Sequence, residues 1–557
     1  MNNADVTTAV ATGESVVAGS EGRSAACCSW GRRCREGCVS FARKINAEPV
    51  ILLSMTAYGL IATIKPLFLY WARCIQIFSH RPDMHIENVT QFCLNLTSQN
   101  NTDQDIVERD IATWAIYLQL GSSVPTLLIS PILGAWADGS GGRKKPLILS
   151  LVGLTIYGGL QVAATATFKI LSVYPFMLLA ELIAGFCGGV MTLFATSFAI
   201  ATDDSRDEMR HGDSTVALRI GIASAFQVLG AIIGGILASV CTSVFPREEA
   251  YIVGAFIACC LMLLTVLYTV FLVKETHKEI AELEESARHV SGRDDTSVSL
   301  FARCFGTECW NVTKKKGLSV IQVLIEKREG WTRFCLNMSL VFVFVEVFAL
   351  DSSLLVLITK RPPFSWSDKT WTIYSIFKNL TFTLGMIVFP LMIARTNWLG
   401  KDSILIMTGI LSAAVVSILV SFARTTELLF ICAALGFFAG GISPGFRSFI
   451  PRMVRKDETA RLFTAFGGVI ALCPILSALL FNSIFNATLH FWPSFVFLVA
   501  GIIMLAVLCG QCVTHYLMRS LWLRHSGEGF EPLVADADDD ISDTDDTHRR
   551  RLQNAIT

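Results

Sequence analysis

Charge is scarce in this chain. Lys, Arg, Asp and Glu together make up 17% of its 557 residues, against about a quarter in an ordinary soluble domain. A soluble multidomain protein is excluded on that ground. Net charge is also missing, because 46 basic residues balance 46 acidic ones. No overall field therefore draws the chain to nucleic acid. No cleavable leader is visible: residues 1–47 hold no apolar core of the right kind, so the first span is expected to serve as an uncleaved signal anchor. No metal, nucleotide or nucleophile motif stands in any loop. An enzyme has no foothold here, and no cofactor is expected beyond protons as a coupling ion.

What is present is apolar sequence, at 52% of residues. A membrane-crossing helix needs roughly 20 predominantly apolar residues. Twelve stretches qualify, near 48–72, 111–136, 146–167, 174–201, 216–240, 250–273, 333–357, 370–393, 403–422, 427–450, 461–484 and 493–516. They lack the period-2 alternation of a membrane barrel. The expected fold is an all-α membrane protein of twelve transmembrane helices in two six-helix bundles, related by an axis along the membrane normal. The divisions read 1–47, a disordered N-tail; 48–273, the first bundle with a glycosylated outer loop at 73–110; 274–332, a charged central loop; 333–516, the second bundle; and 517–557, an acidic C-tail.

Most Lys and Arg fall on the side that carries the N-tail, the central loop and the C-tail. That asymmetry is the positive-inside bias and predicts both termini in the cytoplasm. The opposite loop holds three glycosylation sequons, at Asn88, Asn95 and Asn100, and a sequon is used only on the lumenal side. Most of the 17 cysteines sit in spans, where a thiol is a small hydrophobe. Cys74, Cys93 and Cys241 are the outer candidates for pairing, with Cys74–Cys93 one arrangement and free thiols the other. Cys27, Cys28, Cys34 and Cys38 lie among arginines before the first span, a setting that favours palmitoylation over zinc.

Between spans 2 and 3 stands Gly134-Ala-Trp-Ala-Asp138-Gly-Ser-Gly141-Gly142-Arg143-Lys144-Lys145. A carboxylate and a basic cluster in one tight turn can pair across helix ends in one conformation and part in another. The run resembles the signature of the major facilitator superfamily, G-x-x-x-D-x-x-G-R-[RK], with one extra residue before Arg143. A fainter echo, Arg395-Thr-Asn-Trp-Leu-Gly400-Lys401, occupies the equivalent turn between spans 8 and 9.

Ionisable residues within spans form the second signal: Lys65 on span 1, Glu181 on span 4, Glu346 and Asp351 on span 7, Lys378 on span 8 and Arg447 on span 10. Each costs several kcal/mol in hydrocarbon and so faces a cavity or a partner. In the superfamily that the motif resembles, spans 1, 4, 7 and 10 line the central cavity, which implies that five of these six face it. Glu346, amid the apolar run Val341 to Val345, is the candidate proton carrier. Lys65, Glu181, Asp351 and Lys378 are read as lying in the outer third, where ion pairs could close an outer gate or serve structure alone. Arg447, after Gly440-Gly441-Ile-Ser-Pro444-Gly445, suits a gate or an anionic substrate group.

Gly441-Ile-Ser-Pro444-Gly-Phe-Arg447 and Leu480-Phe-Asn482-Ser483-Ile-Phe-Asn-Ala487-Thr488-Leu489 resemble solute carrier family 46, the family of the proton-coupled folate transporter. So do Asn46-Ala-Glu48-Pro49 and Pro363-Phe364-Ser-Trp366. The resemblance implies transport of a small organic anion with protons, folate-like or related, with Arg447 and Asp138 matching functional positions. Two positions depart from the folate transporter: Phe186-Cys187 in span 4 and Ser224 in span 5. They imply a divergent member, nearer the endolysosomal branches that handle steroid conjugates or peptidoglycan fragments. The expected partners are such an anion and the lipid bilayer, in the plasma membrane or alternatively the lysosomal one. A non-transporting receptor or scaffold is the rival reading, although it has no reason to keep charges inside spans.

Overall fold

A computed structural model describes residues 47–79, 86–96, 102–137, 142–207, 214–276, 324–328, 330–350, 353–396, 398–454 and 459–524. Asp138, Asp351, Asn100, the cysteines at 27–38 and the aspartate-rich tail lie outside them. The described residues are helical almost throughout, and twelve helices or helix pairs are long and apolar enough to cross a membrane.

The first six spans are α1 (Glu48–Ser79); α3 (Thr102–Ala137), after a short loop helix α2 (Ile86–Asn95); α4 (Lys144–Thr167); the pair α5 (Val173–Phe186) and α6 (Gly189–Asp207); α7 (Ser214–Val244); and α8 (Arg247–Phe271). The second six begin with the pair α9 (Thr332–Ala349) and α10 (Leu355–Lys360). They continue through α11 (Asp368–Ala394), α12 (Lys401–Phe422), the pair α13 (Thr426–Ala439) and α14 (Ile442–Phe449), α15 (Thr459–Thr488) and α16 (Phe495–Arg524). Hydropathy placed the spans but cut spans 1 and 2 short at the end that carries the sequons. Residues 102–110 hold Asp103, Asp105, Glu108, Arg109 and Asp110, which an apolarity count rejects. The helix continues through them because the charges are matched: Arg73 Nε lies 2.7 Å from Asp110 Oδ2, and Tyr174 donates to the same oxygen at 2.6 Å.

Helix ends follow local chemistry. Ser367 caps α11, accepting from the Thr370 N–H at 3.2 Å, and Glu248 and Glu249 sit in the first turn of α8, where the helix dipole favours anions. Gly142 and Gly400 take left-handed backbone, φ +69° in each case, Gly142 two residues before α4 and Gly400 directly before α12. Span 3 and span 9 thus begin with the same device, as expected of two related halves.

Within a half, small residues let backbones close up, the usual basis of packing in lipid. A Cβ added to Gly59 would lie 2.8 Å from Ala231 O, and one on Gly230 would lie 2.6 Å from Leu52 O. Gly234 meets Thr56 O more tightly still. This seam joins spans 1 and 5; Gly385 against Phe437 and Gly440 against Phe382 do the same for spans 8 and 10. Between halves, span 2 packs on span 11 and span 5 on span 8.

Candidate transport pathway

Among the described residues, three spans are interrupted: spans 4, 7 and 10. Span 4 breaks at Cys187–Gly188, where Gly188 (φ +86°) and Gly189 (φ +56°) are both left-handed, a conformation only glycine adopts at little cost. Span 7 breaks between Ala349 and Leu355, and span 10 at Gly440–Gly441. Broken helices at membrane depth are tolerated where protein or water satisfies the freed peptide groups. The glycine pairs were visible in the sequence, but continuous hydropathy concealed the breaks.

Two ionic clusters bind the halves together at the end that carries the 86–96 segment, here called the sequon end. In the first, Arg361 follows α10 and reaches across to span 2: Nη1 lies 2.9 Å from Glu108 Oε2, and Nη2 bonds Asp105 Oδ1. His490, in the turn before α16, places Nδ1 2.9 Å from Asp105 Oδ2, and Arg109 Nη2 lies 2.9 Å from His490 Nε2. In the second, Asp368 of α11 accepts from Lys360 Nζ at 2.5 Å, from Arg247 Nε at 3.0 Å and from Tyr251 at 2.7 Å. Arg247 also stacks over Trp71, 4.9 Å from the ring centre. Gln104 Nε2 ties the clusters, donating to Lys360 O at 3.3 Å and to Tyr70 Oη at 3.2 Å. Asn486 Nδ2 donates to Thr113 Oγ1 at 3.1 Å, a further polar bond between the halves at this end.

Sequence alone gives these gate residues no place among the site candidates, because each reads as loop charge. The pattern Gln104-Asp105-Glu108, one helix face, opposite Lys360-Arg361 was the available signal. Of the two readings of the in-span charges, gate or structure, Lys65 and Glu181 fit the second. Lys65 and Glu181 do pair, Nζ to Oε1 at 2.5 Å, with Tyr157 Oη 3.3 Å from the ammonium. Both belong to the first half, however, so the pair stitches spans 1, 3 and 4 and cannot close a gate between halves. Lys65 also sits at the middle of α1, since that helix runs on to Ser79. Lys378 is half-buried and lines a cavity of about 270 Å³ inside the second half, with Tyr374, Asn379, Ser417, Gly436 and Phe497.

Glu346 is buried one turn before the break in span 7, 5% exposed, beside Cys473 of span 11. Among the described residues no hydrogen bond or ion pair reaches its carboxyl. Arg447 is exposed, while Phe446 and Phe449 of the same short helix are buried. Among the described residues no ion pair reaches the Arg447 guanidinium, and a charge on a spanning segment costs least where water reaches it. The motif turn is held by an acid the motif does not contain: Glu275, after span 6, accepts from the Arg143 N–H at 2.9 Å and the Lys144 N–H at 3.0 Å. A Cβ on Gly142 would press on that carboxylate at 2.6 Å, whereas Gly134 faces open space. Of the sequons, Asn95 is exposed at the end of α2, and Cys74 and Cys93 form the disulfide that pins this helix to span 1.

Two six-helix halves, gated by ion pairs at one end and holding ionisable groups on interrupted spans, define a membrane transporter of the alternating-access kind. The comparisons agree. The family model for the Major Facilitator Superfamily matches residues 49–469, and the chain belongs to that superfamily. It is 25% identical to the proton-coupled folate transporter of Bos taurus over 82% of this chain and 88% of the relative. It is 23% identical to the lysosomal proton-coupled steroid conjugate and bile acid symporter SLC46A3 of Homo sapiens, over 84% and 93%. Among solved structures, a mutant of the nucleoside transporter NupG superposes with a TM-score of 0.54 at 14% identity, covering 85% of this chain and 99% of that one. The human organic anion transporter MFSD10 (TETRAN) gives 0.52 at 16%, over 84% and 97%. These likenesses establish the fold.

Proposed function

We propose that this multi-pass membrane transporter carries a small organic anion by alternating access, driven by protons, with its sequon end outside or in the lumen. The observation that carries the reading is the pairing of a sealed sequon end with an exposed Arg447 on the half-helix nearer the opposite end. An arginine in that place supplies a bidentate, permanently charged site for a carboxylate or sulfate. Glu346, buried and without a partner among the described residues, is the group suited to carry a proton between the two openings. Lys65 contributes less to anion binding than its position first suggested, since Glu181 balances its charge in this state. Both termini then lie in the cytoplasm, and Asn88, Asn95 and Asn100 are glycan acceptors. The two named relatives supply the substrate classes to try first: folate, and steroid conjugates or bile acids.

The test is uptake of radiolabelled folate, a steroid sulfate and a bile acid into proteoliposomes with an imposed pH gradient. Gradient-driven uptake of one of them, lost in Arg447→Ala and made indifferent to the gradient in Glu346→Gln, supports the proposal. Uptake that ignores the gradient in the unmodified protein overturns the proton drive. Intact uptake in Arg447→Ala overturns the anion site.

A further inference from the structure

We propose that Glu108 holds a proton in the closed gate and shares it with Gln104, so that shutting the sequon end takes up a proton there. The proposal goes beyond the transport reading: it concerns a gate proton, distinct from any carried by Glu346. Glu108 and Gln104 are both 0% exposed and stand four residues apart on one face of α3, the spacing at which helical side chains meet. Glu108 Oε2 receives Arg361, but Glu108 Oε1 has no hydrogen-bond partner, and neither has Gln104 Oε1. Two unmatched acceptors, buried on one helix face, are what a missing donor leaves behind. Rotating the Gln104 amide does not help: its Nε2 is fixed by the Lys360 carbonyl and the Tyr70 hydroxyl, and exchange would set Oε1 against a carbonyl oxygen. A proton on Glu108 Oε1, donated to Gln104 Oε1, satisfies both.

Charge counting leads to the same place. Asp105 and Glu108 share one guanidinium, Arg361. Asp105 is fully engaged, with Arg361 on Oδ1 and His490 on Oδ2. His490 accepts from Arg109 at Nε2, so its neutral form, with hydrogen on Nδ1, fits both contacts. Lys360 spends its ammonium on Asp368, and Arg73 on Asp110. Tyr70, from span 1, brings no charge. With both carboxyls ionised, the buried pair would carry two negative charges against the one guanidinium that touches them, the Arg109 cation standing one imidazole further out; a low-dielectric site resolves such an excess by protonation. When the halves part at this end, water reaches Glu108, and it ionises like an ordinary surface carboxylate. The closed state therefore binds the extra proton, and acid on the sequon side favours closure.

The experiment uses the full-length protein in liposomes, with no substrate and no gradient, so that failure to find a transported anion leaves it unaffected. Infrared difference spectra between mildly alkaline and acid pH should show a protonated-carboxyl stretch that is lost in Glu108→Gln and kept in Glu346→Gln. Hydrogen exchange across residues 102–112 should slow as pH falls, after correction for intrinsic rates, and stay slow at all pH in Glu108→Gln. Should that variant fold poorly, Gln104→Leu serves instead: removing the acceptor should move the transition in protection to lower pH. The proposal is overturned if band and pH dependence both survive in Glu108→Gln. It is equally overturned if Gln104→Leu leaves the transition in place, or if only His490→Ala or Asp105→Asn abolishes it.

Discussion

Replacing Arg361 by methionine should open the sequon end. The guanidinium is 7% exposed and is shared by Asp105 and Glu108, the latter fully buried. Breaking a buried pair by deleting one partner costs about 3–5 kcal/mol, because the remaining charge is stranded. Here the cost falls on one conformation only, since parting the halves returns the carboxylates to water. A bias of about 3 kcal/mol is a shift of about a hundredfold or more between closed and open populations, at 1.4 kcal/mol per tenfold. Hydrogen exchange on the purified protein in nanodiscs reads it directly. Segments 102–112 and 353–368 should lose protection together, and the seam between spans 1 and 5 should not change. Adding Asp105→Asn should restore part of the protection, because the stranded charge is gone, and the double variant should fall short of the sum. Equal loss of protection throughout the chain would mean that Arg361 holds up the fold instead of the gate. Unchanged exchange at both segments would refute the idea that this network separates two states.

Other outcomes are as specific. Lys65→Met should lower thermal stability by about 3 kcal/mol, and Glu181→Gln on top should recover part of it, since the pair is partly buried within one half; additive losses in a double-mutant cycle would contradict the pairing. Gly188→Ala should lower the melting temperature, because a side chain is strained at φ +86° at a cost of about 1–2 kcal/mol, while Gly436→Ala, with nothing within 4 Å of the added carbon, should be nearly neutral; equal effects would remove the argument for an enforced break. Asn95→Gln should remove one enzymatically releasable glycan on a gel, and an unchanged mobility shift relative to the parent would count against an outward sequon end. Glu275→Gln should loosen the turn before α4, seen as faster exchange at Arg143 and Lys144; no change there would show that the charge on that cap is dispensable.

How much of this was legible beforehand divides along physical lines. The twelve spans and the two halves follow from hydropathy, which integrates over twenty residues and forgives single charges. The gate was invisible to the same count, because Asp105, Glu108 and Arg361 look like solvated loop residues until their partners, some 250 positions away, are brought opposite. Lys65, Glu181, Asp351 and Lys378 read as a group able to form ion pairs; that Lys65 meets Glu181 depends on which faces of α1 and α5 meet, and span counting does not resolve faces. Glu275 lay beyond reach for a simpler reason: it touches backbone N–H groups, and any carboxylate after span 6 would have looked the same.

The short helix α10 bears Lys360 and ends directly before Arg361, beyond the interruption in span 7. All six residues of α10 are buried, so the latch is seated by packing as well as by charge, and drawing it out must bare an apolar plug along with two cations.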